Sequence, residues 1–283
     1  MLETLLYGLF KGAREVVKKT SMKVSPVMEV LFFYTLMSFF FVLFDIKNAM
    51  GITDYRMYFF IFIKSFVIFC AWILSFRAIK YLPISLYGVL DLSRMLFATL
   101  IAVLFLHEVM RTMQWIGLVI VAVGLLLLKA PTKKADPEKE GEKVPAKFVW
   151  MSLISCLLNA VSGILDKVLT RTVTSAQLQF WYLLFLTLLY GAYILIRKEE
   201  ISVKRAVTNK WLWILAILFV IADRSLFMAN ANPESQVTVM TLMKQSACVV
   251  TLLAGQFLYH EEHVLRRAVC TLIVVIGILI GVI

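Results

Sequence analysis

Runs of more than 18 residues carrying at most one or two charges recur along this 283-residue chain. A run of that length crosses the hydrocarbon of a bilayer as a helix. Helix is required, because lipid offers no partner to an unpaired backbone N–H or C=O. A transmembrane barrel would need alternating strands of about ten residues, and these runs do not alternate. Composition agrees: 61% of residues are hydrophobic and only 17% are charged, well to the apolar side of soluble domains. The expectation is an all-α integral membrane protein with ten transmembrane helices, at about 2–17, 27–45, 57–80, 85–106, 112–129, 148–168, 178–196, 211–231, 235–258 and 265–282.

Two stretches repeat one another. Ser75-Phe-Arg-Ala-Ile-Lys-Tyr-Leu-Pro83-Ile-Ser85 leads through Asp91-Leu-Ser-Arg94 to Leu106-His107-Glu108. Ser225-Leu-Phe-Met-Ala-Asn-Ala-Asn-Pro233-Glu-Ser235 leads through Thr241-Leu-Met-Lys244 to Tyr259-His260-Glu261. Ser75 and Ser225, Pro83 and Pro233, and Arg94 and Lys244 are each 150 apart, and Gly124 and Gly277 are 153 apart. Gly12 and Glu15 of the short, charged first helix match Gly163 and Asp166 at an offset of 151. That match argues against a helix lying on the membrane surface. The chain therefore reads as residues 1–129, a polar Pro-containing linker at 130–147, and a second copy at 148–283. Five crossings is an odd number, so the second copy enters from the opposite side. Two inverted five-helix repeats place a site near the midplane, at their interface.

The tandem five-helix units, the Ala-x-x-x-Leu-Pro-x-Ser motif at Ala78 to Ser85, Leu106-His107-Glu108, and Gln114-Trp-Ile-Gly117 with Gly124 resemble the EamA-type drug/metabolite transporter superfamily. The resemblance implies a secondary transporter and names no substrate. Phosphate-translocating and nucleotide-sugar branches of that superfamily use basic residues in the helices corresponding to those of Arg94 and Lys244, which extends the implication to phosphorylated solutes.

Basic residues orient the chain. One set of connections holds 17 Lys and Arg, and the other holds Lys47, Arg56, Arg111 and Arg171. The positive-inside rule then puts the linker in the cytoplasm and both termini outside, in what is expected to be a bacterial cytoplasmic membrane. The usual description of the family has cytoplasmic ends. With so many cations in short connections, the net charge of +11 points to topology and away from nucleic acid. Cys70, Cys156, Cys248 and Cys270 lie inside apolar runs without metal-ligand spacing and read as small core residues. The chain enters an apolar segment at Leu2 with no basic leader, so no cleavable signal peptide is expected.

Ionisable groups at membrane depth carry function, because each costs at least about 2.5 kcal/mol unless it faces a cavity or a partner. The deep bases are Lys11, Arg14, Lys64, Arg77, Arg94, Lys167, Arg224 and Lys244; the deep acids are Glu15, Asp91, Asp166 and Asp223. Asp91 and Arg94 share a helical face, and Arg14 is next to Glu15. Lys64, Arg94, Arg224 and Lys244 fall near helix centres, and the acids cannot neutralise them all, so an anionic substrate is expected. Arg94 and Lys244 would face one central site, with Lys64, Arg224 and Lys11 adding positive charge and Asp91 orienting Arg94. Tyr87, Gln245, Asn159, Trp181 and Tyr182 would supply hydrogen bonds or a stacking face. Glu15, Asp166 and Asp223 are candidates for ion coupling.

No Gly-rich phosphate loop, metal-spaced cluster or nucleophile elbow is present in the sequence, so no metal, cofactor or enzymatic activity is expected. His107, His260 and His263 stand beside Glu108, Glu261 and Glu262 at helix ends, where caps and loop contacts form; imidazole titration leaves proton coupling open. The leading reading is an exchanger or transporter for a small anionic, phosphorylated solute, working as a monomer or homodimer by alternating access. Alternatives are a flippase for an anionic lipid head group, an exporter of amino acids, metabolites or cationic drugs, and a non-transporting receptor or scaffold.

Overall fold

A computed structural model describes residues 2–105, 111–129, 145–231, 247–261 and 264–282. Its elements are α1 (Leu2–Ser21), α2 (Val27–Val42), a 3-10 turn at Leu43–Asp45 leading into α3 (Ile46–Ala49), α4 (Arg56–Tyr81), α5 (Ile84–Asp91), α6 (Ser93–Phe105), α7 (Thr112–Lys129), α8 (Ala146–Leu169), α9 (Ser175–Arg197), α10 (Val203–Thr208), α11 (Lys210–Ala231), α12 (Ala247–Phe257) and α13 (Val264–Val282). No strand occurs among the described residues.

The sequence sets these boundaries locally. Pro26, Pro83 and Pro145 stand immediately before α2, α5 and α8, where a fixed φ is tolerated and a missing N–H costs nothing. Thr174 and Gln177 close a capping box at the start of α9, which starts that helix at Ser175, ahead of the expected 178. Lys198 ends α9 in the left-handed region at φ 52°. The expected single helix over 85–106 is interrupted at Leu92, where the Leu92 and Met95 N–H groups bond three residues back, to Val89 (3.1 Å) and Leu92 (3.0 Å). Asp91 and Arg94 flank that break.

Among the described residues, six segments are long and apolar enough to cross a membrane: Val27–Ala49, Arg56–Tyr81, Ile84–Leu104, Ala146–Leu169, Ser175–Arg197 and Lys210–Ala231. Shorter apolar helices cover Thr112–Gly124, Ala247–Phe257 and Ala268–Gly277. The polarity of the molecule is that of a membrane protein. Phe44, Leu195 and Ile196 are among many large apolar side chains on the outside, whereas Lys11, Glu29 and Lys64 are buried. An outside so apolar belongs against lipid or a partner. Helix α1 is too charged to count as apolar, yet its Tyr7, Lys11, Arg14, Glu15 and Lys18 are buried, so it is an interior helix.

Helix contacts come in matched sets. α4 packs on α8 as α1 packs on α11; α6 meets α8 as α1 meets α12; α4 meets α9 as α2 meets α11. The contacts α2–α9, α5–α12 and α7–α13 pair segments that the expected sequence repeat would equate. The last is reciprocal in detail. A Cβ on Gly124 would stand 3.2 Å from the Cys270 carbonyl oxygen and 2.8 Å from Val274. A Cβ on Gly277 would stand 2.8 Å from the Gly117 carbonyl oxygen and 3.0 Å from Val121. Small residues let membrane helices approach this closely.

The largest core lies among α2, α4, α9 and α11. Tyr34 stacks on Phe76 and meets Phe219 edge-on, and Trp72 meets Phe219 at 5.3 Å. This aromatic block borders the central cavity.

Candidate central solute site

A cavity lies in the middle of the bundle, lined by α1, α4, α6, α8, α9 and α11. Its charged lining is Lys11, Arg14, Lys64, Arg94, Asp166 and Asp223. A second chamber shares Arg14, Trp72, Arg94 and Asn159 with it and adds Glu15, Lys18, Tyr34 and Ser75. Among the described lining residues, every cation comes from the first half of the chain, and the second half supplies Asp166, Asp223 and neutral polar groups.

The expectation that Lys64, Arg94 and Arg224 outrun the available acids is corrected by the ion pairs. Lys64 Nζ lies 3.1 Å from Asp166 and 3.6 Å from the centre of the Tyr182 ring. Arg94 Nη2 donates to Asp91 at 3.0 Å. Arg224 donates to Asp45 at 2.5 Å and to Gln179 at 2.8 Å, near the α3 end and outside the cavity lining. Sequence distance hid these partners, since Lys64 and Asp166 belong to different halves and Asp45 lies beyond α2.

The α1 charges are also redistributed. Glu15 pairs with Lys18 at 2.6 Å, one turn away, leaving Arg14 to Asp223 at 3.4 Å. Asp223 in turn accepts from Tyr182 at 2.5 Å. The Arg14 guanidinium lies 5.1 Å from the Phe219 ring centre and Lys18 Nζ lies 4.4 Å from that of Phe76, so the aromatic block supports both cations.

One carboxylate is shared. Asp91 accepts from Lys11 and from Arg94, and both cations face the cavity. Lys11, Arg14, Lys18, Lys64 and Arg94 line the two chambers; the carboxylates paired with them are Glu15, Asp91, Asp166 and Asp223. Among the described residues, two cations thus share one carboxylate at Lys11–Asp91–Arg94. Among the described residues, buried Arg94 Nε has no hydrogen-bond acceptor.

Other expected residues fall as follows. Asn159 lines both chambers, its amide donating to Ser155 within its own helix. Tyr87 bonds Ser75 at 2.6 Å and borders a small void with Glu15 and Asp91. Trp181 donates to the Ala49 carbonyl and packs on Tyr58, away from the cavity. Lys167 donates to the Asn230 carbonyl. Lys244 and Gln245 lie outside the described residues, as do Pro233, Ser235, His107, Glu108 and most of the linker.

Tyr7, Ser162 and Asn230 join the lining without having been expected there, as does Gly163, which the sequence singled out only as the match of Gly12; two further ties stand at the end of the bundle where the linker attaches. In one, buried Glu29 accepts from Arg205 at 2.8 Å and from the Ser202 N–H at 3.0 Å; that hydrogen bond raises the Arg205 guanidinium above its ordinary range. In the other, Glu261 accepts from the N–H of Ile84 (2.5 Å), the N–H of Ser85 (3.1 Å) and the Ser85 hydroxyl, at the start of α5. Lys19 stands 3.7 Å from Glu261, and Thr20 bonds Tyr259 at 2.7 Å. His260, at φ 48°, turns the chain so that Glu261 points at α5. The Leu-His-Glu resemblance was a signal for Glu261; Glu29, lone in an apolar run, gave one only through its cost.

Residues 4–130 match the EamA-like transporter family, a family of membrane transporters. That is the half carrying the Ala78–Ser85 and Leu106–Glu108 motifs. No curated protein matches the chain. Among 28 matching solved chains, one described only as "Crystal structure of protein" superposes with a TM-score of 0.70 over 98% of this chain and 95% of its own, at 13% identity. Such a likeness concerns the fold alone.

Proposed function

From a membrane-spanning chain whose residues 4–130 match the EamA-like transporter family, we infer a secondary transporter for a small solute with an anionic group. The two halves would be inverted five-helix repeats, 1–129 and 148–283 joined by the linker, that alternate access to the central cavity. The matched helix contacts and the reciprocal Gly124 and Gly277 contacts support the repeat. The anion reading rests on one observation: Asp91 serves both Lys11 and Arg94 at the cavity wall. A buried surplus charge is costly without a counter-ion, and a phosphate or carboxylate offers an acceptor suited to the guanidinium. Thermal stabilisation of purified protein by phosphorylated metabolites, measured against organic cations of similar size, tests this. Stabilisation by cations alone would overturn it.

The Glu261 tie supports alternating access. It joins a residue of the second half to the start of α5 in the first, and the main cavity extends toward the opposite end of the bundle, along Asp166, Leu226 and Asn230. Glu261 would thus close the linker end. Loss of its charge-assisted bonds, each contributing about 1.5–3 kcal/mol, shifts the two-state balance at least tenfold. In a background lacking native cysteines, Leu215→Cys in the second chamber should label at least tenfold faster with Glu261→Ala than without it. Equal rates would remove Glu261 from gating.

Orientation follows the basic connections: linker cytoplasmic, termini external. Ala135→Cys in the linker should resist an impermeant thiol reagent in intact cells, while a cysteine added at the C-terminus reacts. The reverse pattern inverts the protein.

A further inference from the structure

The cavity wall built by the second half has a neutral part that the charged pairs leave unused. On α8, Asn159, Gly163 and Asp166 fall on one face at helical spacing. The Asn159 amide is occupied by Ser155, and the Tyr182 hydroxyl by Asp223. Two groups remain uncommitted. Ser162 is 1% exposed and Asn230 is 4% exposed, both line the cavity, and among the described residues neither the Ser162 hydroxyl nor the Asn230 amide nitrogen has a hydrogen-bond partner. Buried polar groups are seldom left so, and an unmet group costs about 1–3 kcal/mol.

Gly163 lies beside them. Among the described residues, a Cβ placed there would meet no atom within 4 Å beyond its own helix turn, although the residue lines the cavity. Its match in the first half, Gly12, is a packing glycine: a Cβ there would come within 2.6 Å of Val250 Cβ and 2.8 Å of the Ala247 carbonyl oxygen. Thus Gly12 seats α1 against α12, while helix packing gives no reason for glycine at 163. What it provides is space in the cavity.

We propose that Ser162, Gly163 and Asn230 form a neutral subsite that receives the oxygen-bearing body of the solute, its size limited by the missing side chain at 163. The amide nitrogen of Asn230 only donates, and the Ser162 hydroxyl can donate, so the complementary groups are hydroxyl or carbonyl oxygens. The solute class is a small hydroxylated organic anion, with the charged group toward Lys11 and Arg94 and the hydroxylated part on the second-half wall. This rests on the cavity being the site of an anionic solute.

Glycerol 3-phosphate and inorganic phosphate serve as probes, with affinity read from thermal stabilisation. Ser162→Ala and Asn230→Ala should each weaken glycerol 3-phosphate about threefold to tenfold, the range of one neutral hydrogen bond, and leave inorganic phosphate within about twofold. Asn230→Ala keeps the backbone carbonyl that Lys167 uses. Gly163→Ala should melt like the parent and Gly163→Leu should exclude glycerol 3-phosphate while keeping phosphate. Gly12→Ala should lose stability. Equal losses for both probes, or none for either, overturn the subsite and leave the anion site standing. If neither probe binds the parent protein, the anion reading falls and the subsite falls with it. A lower melting point for Gly163→Ala than for Gly12→Ala removes Gly163 from the cavity wall.

Discussion

Lys64→Met should lower the unfolding free energy of the purified protein by about 3–5 kcal/mol, the cost of breaking a buried ion pair by removing one partner. Lys64 is 2% exposed, and its ammonium lies against Asp166 and over the Tyr182 ring. The methionine fills the space but leaves a buried carboxylate behind. Adding Asp166→Asn should restore most of the loss, since the neutral amide no longer demands a cation. Stability by chemical denaturation in detergent gives the double-mutant cycle. Additive losses in the double mutant would falsify the pairing as a source of stability. The pair also means that an anion would reach Lys64 only in competition with Asp166.

Arg94→Gln should weaken binding of inorganic phosphate or glycerol 3-phosphate roughly ten- to a hundredfold, as expected when one charge-assisted bond is lost. The fold should survive, because Asp91 retains Lys11 as its partner. Arg94→Lys keeps the charge and loses the fork, so it should recover only part of the affinity. Asp91→Asn should weaken binding less than Arg94→Gln does, since it frees both cations while loosening their positions. Isothermal calorimetry on the three variants orders the effects. Should Asp91→Asn stop transport while binding persists, Asp91 would be a coupling carboxylate. Unchanged binding in Arg94→Gln would remove Arg94 from the site.

Much of the architecture was legible because membrane helices announce themselves by length and polarity. The first helix was legible through the Gly12–Glu15 match with Gly163–Asp166, and its burial agrees with that reading. The break at Leu92 was not, since Gly88, Asp91 and Ser93 are only weakly unfavourable to a helix and no proline marks a stop between Ile84 and Phe105. Asp91 and Arg94 could be paired from spacing alone because they are three residues apart on one helix. Lys64 with Asp166, Arg14 with Asp223 and Arg224 with Asp45 could not, because each joins segments far apart in sequence. Counting deep charges along the sequence therefore missed the partners of Lys64 and Arg224. Ser162 and Asn230 carried no signal, since Ser and Asn in a membrane helix more often bond their own backbone.

The division of charge between the halves has a mechanical side. Two of the ties across the bundle, Lys64 to Asp166 and Arg14 to Asp223, draw first-half cations toward second-half carboxylates. An anion arriving beside those cations is a rival to the carboxylates. Each contact it makes with Lys64 or Arg14 slackens an attraction that holds one half against the other. On the proposed reading, cargo and seam thus compete for the same few ammonium and guanidinium groups, and the act of loading loosens the joint about which the halves must rock.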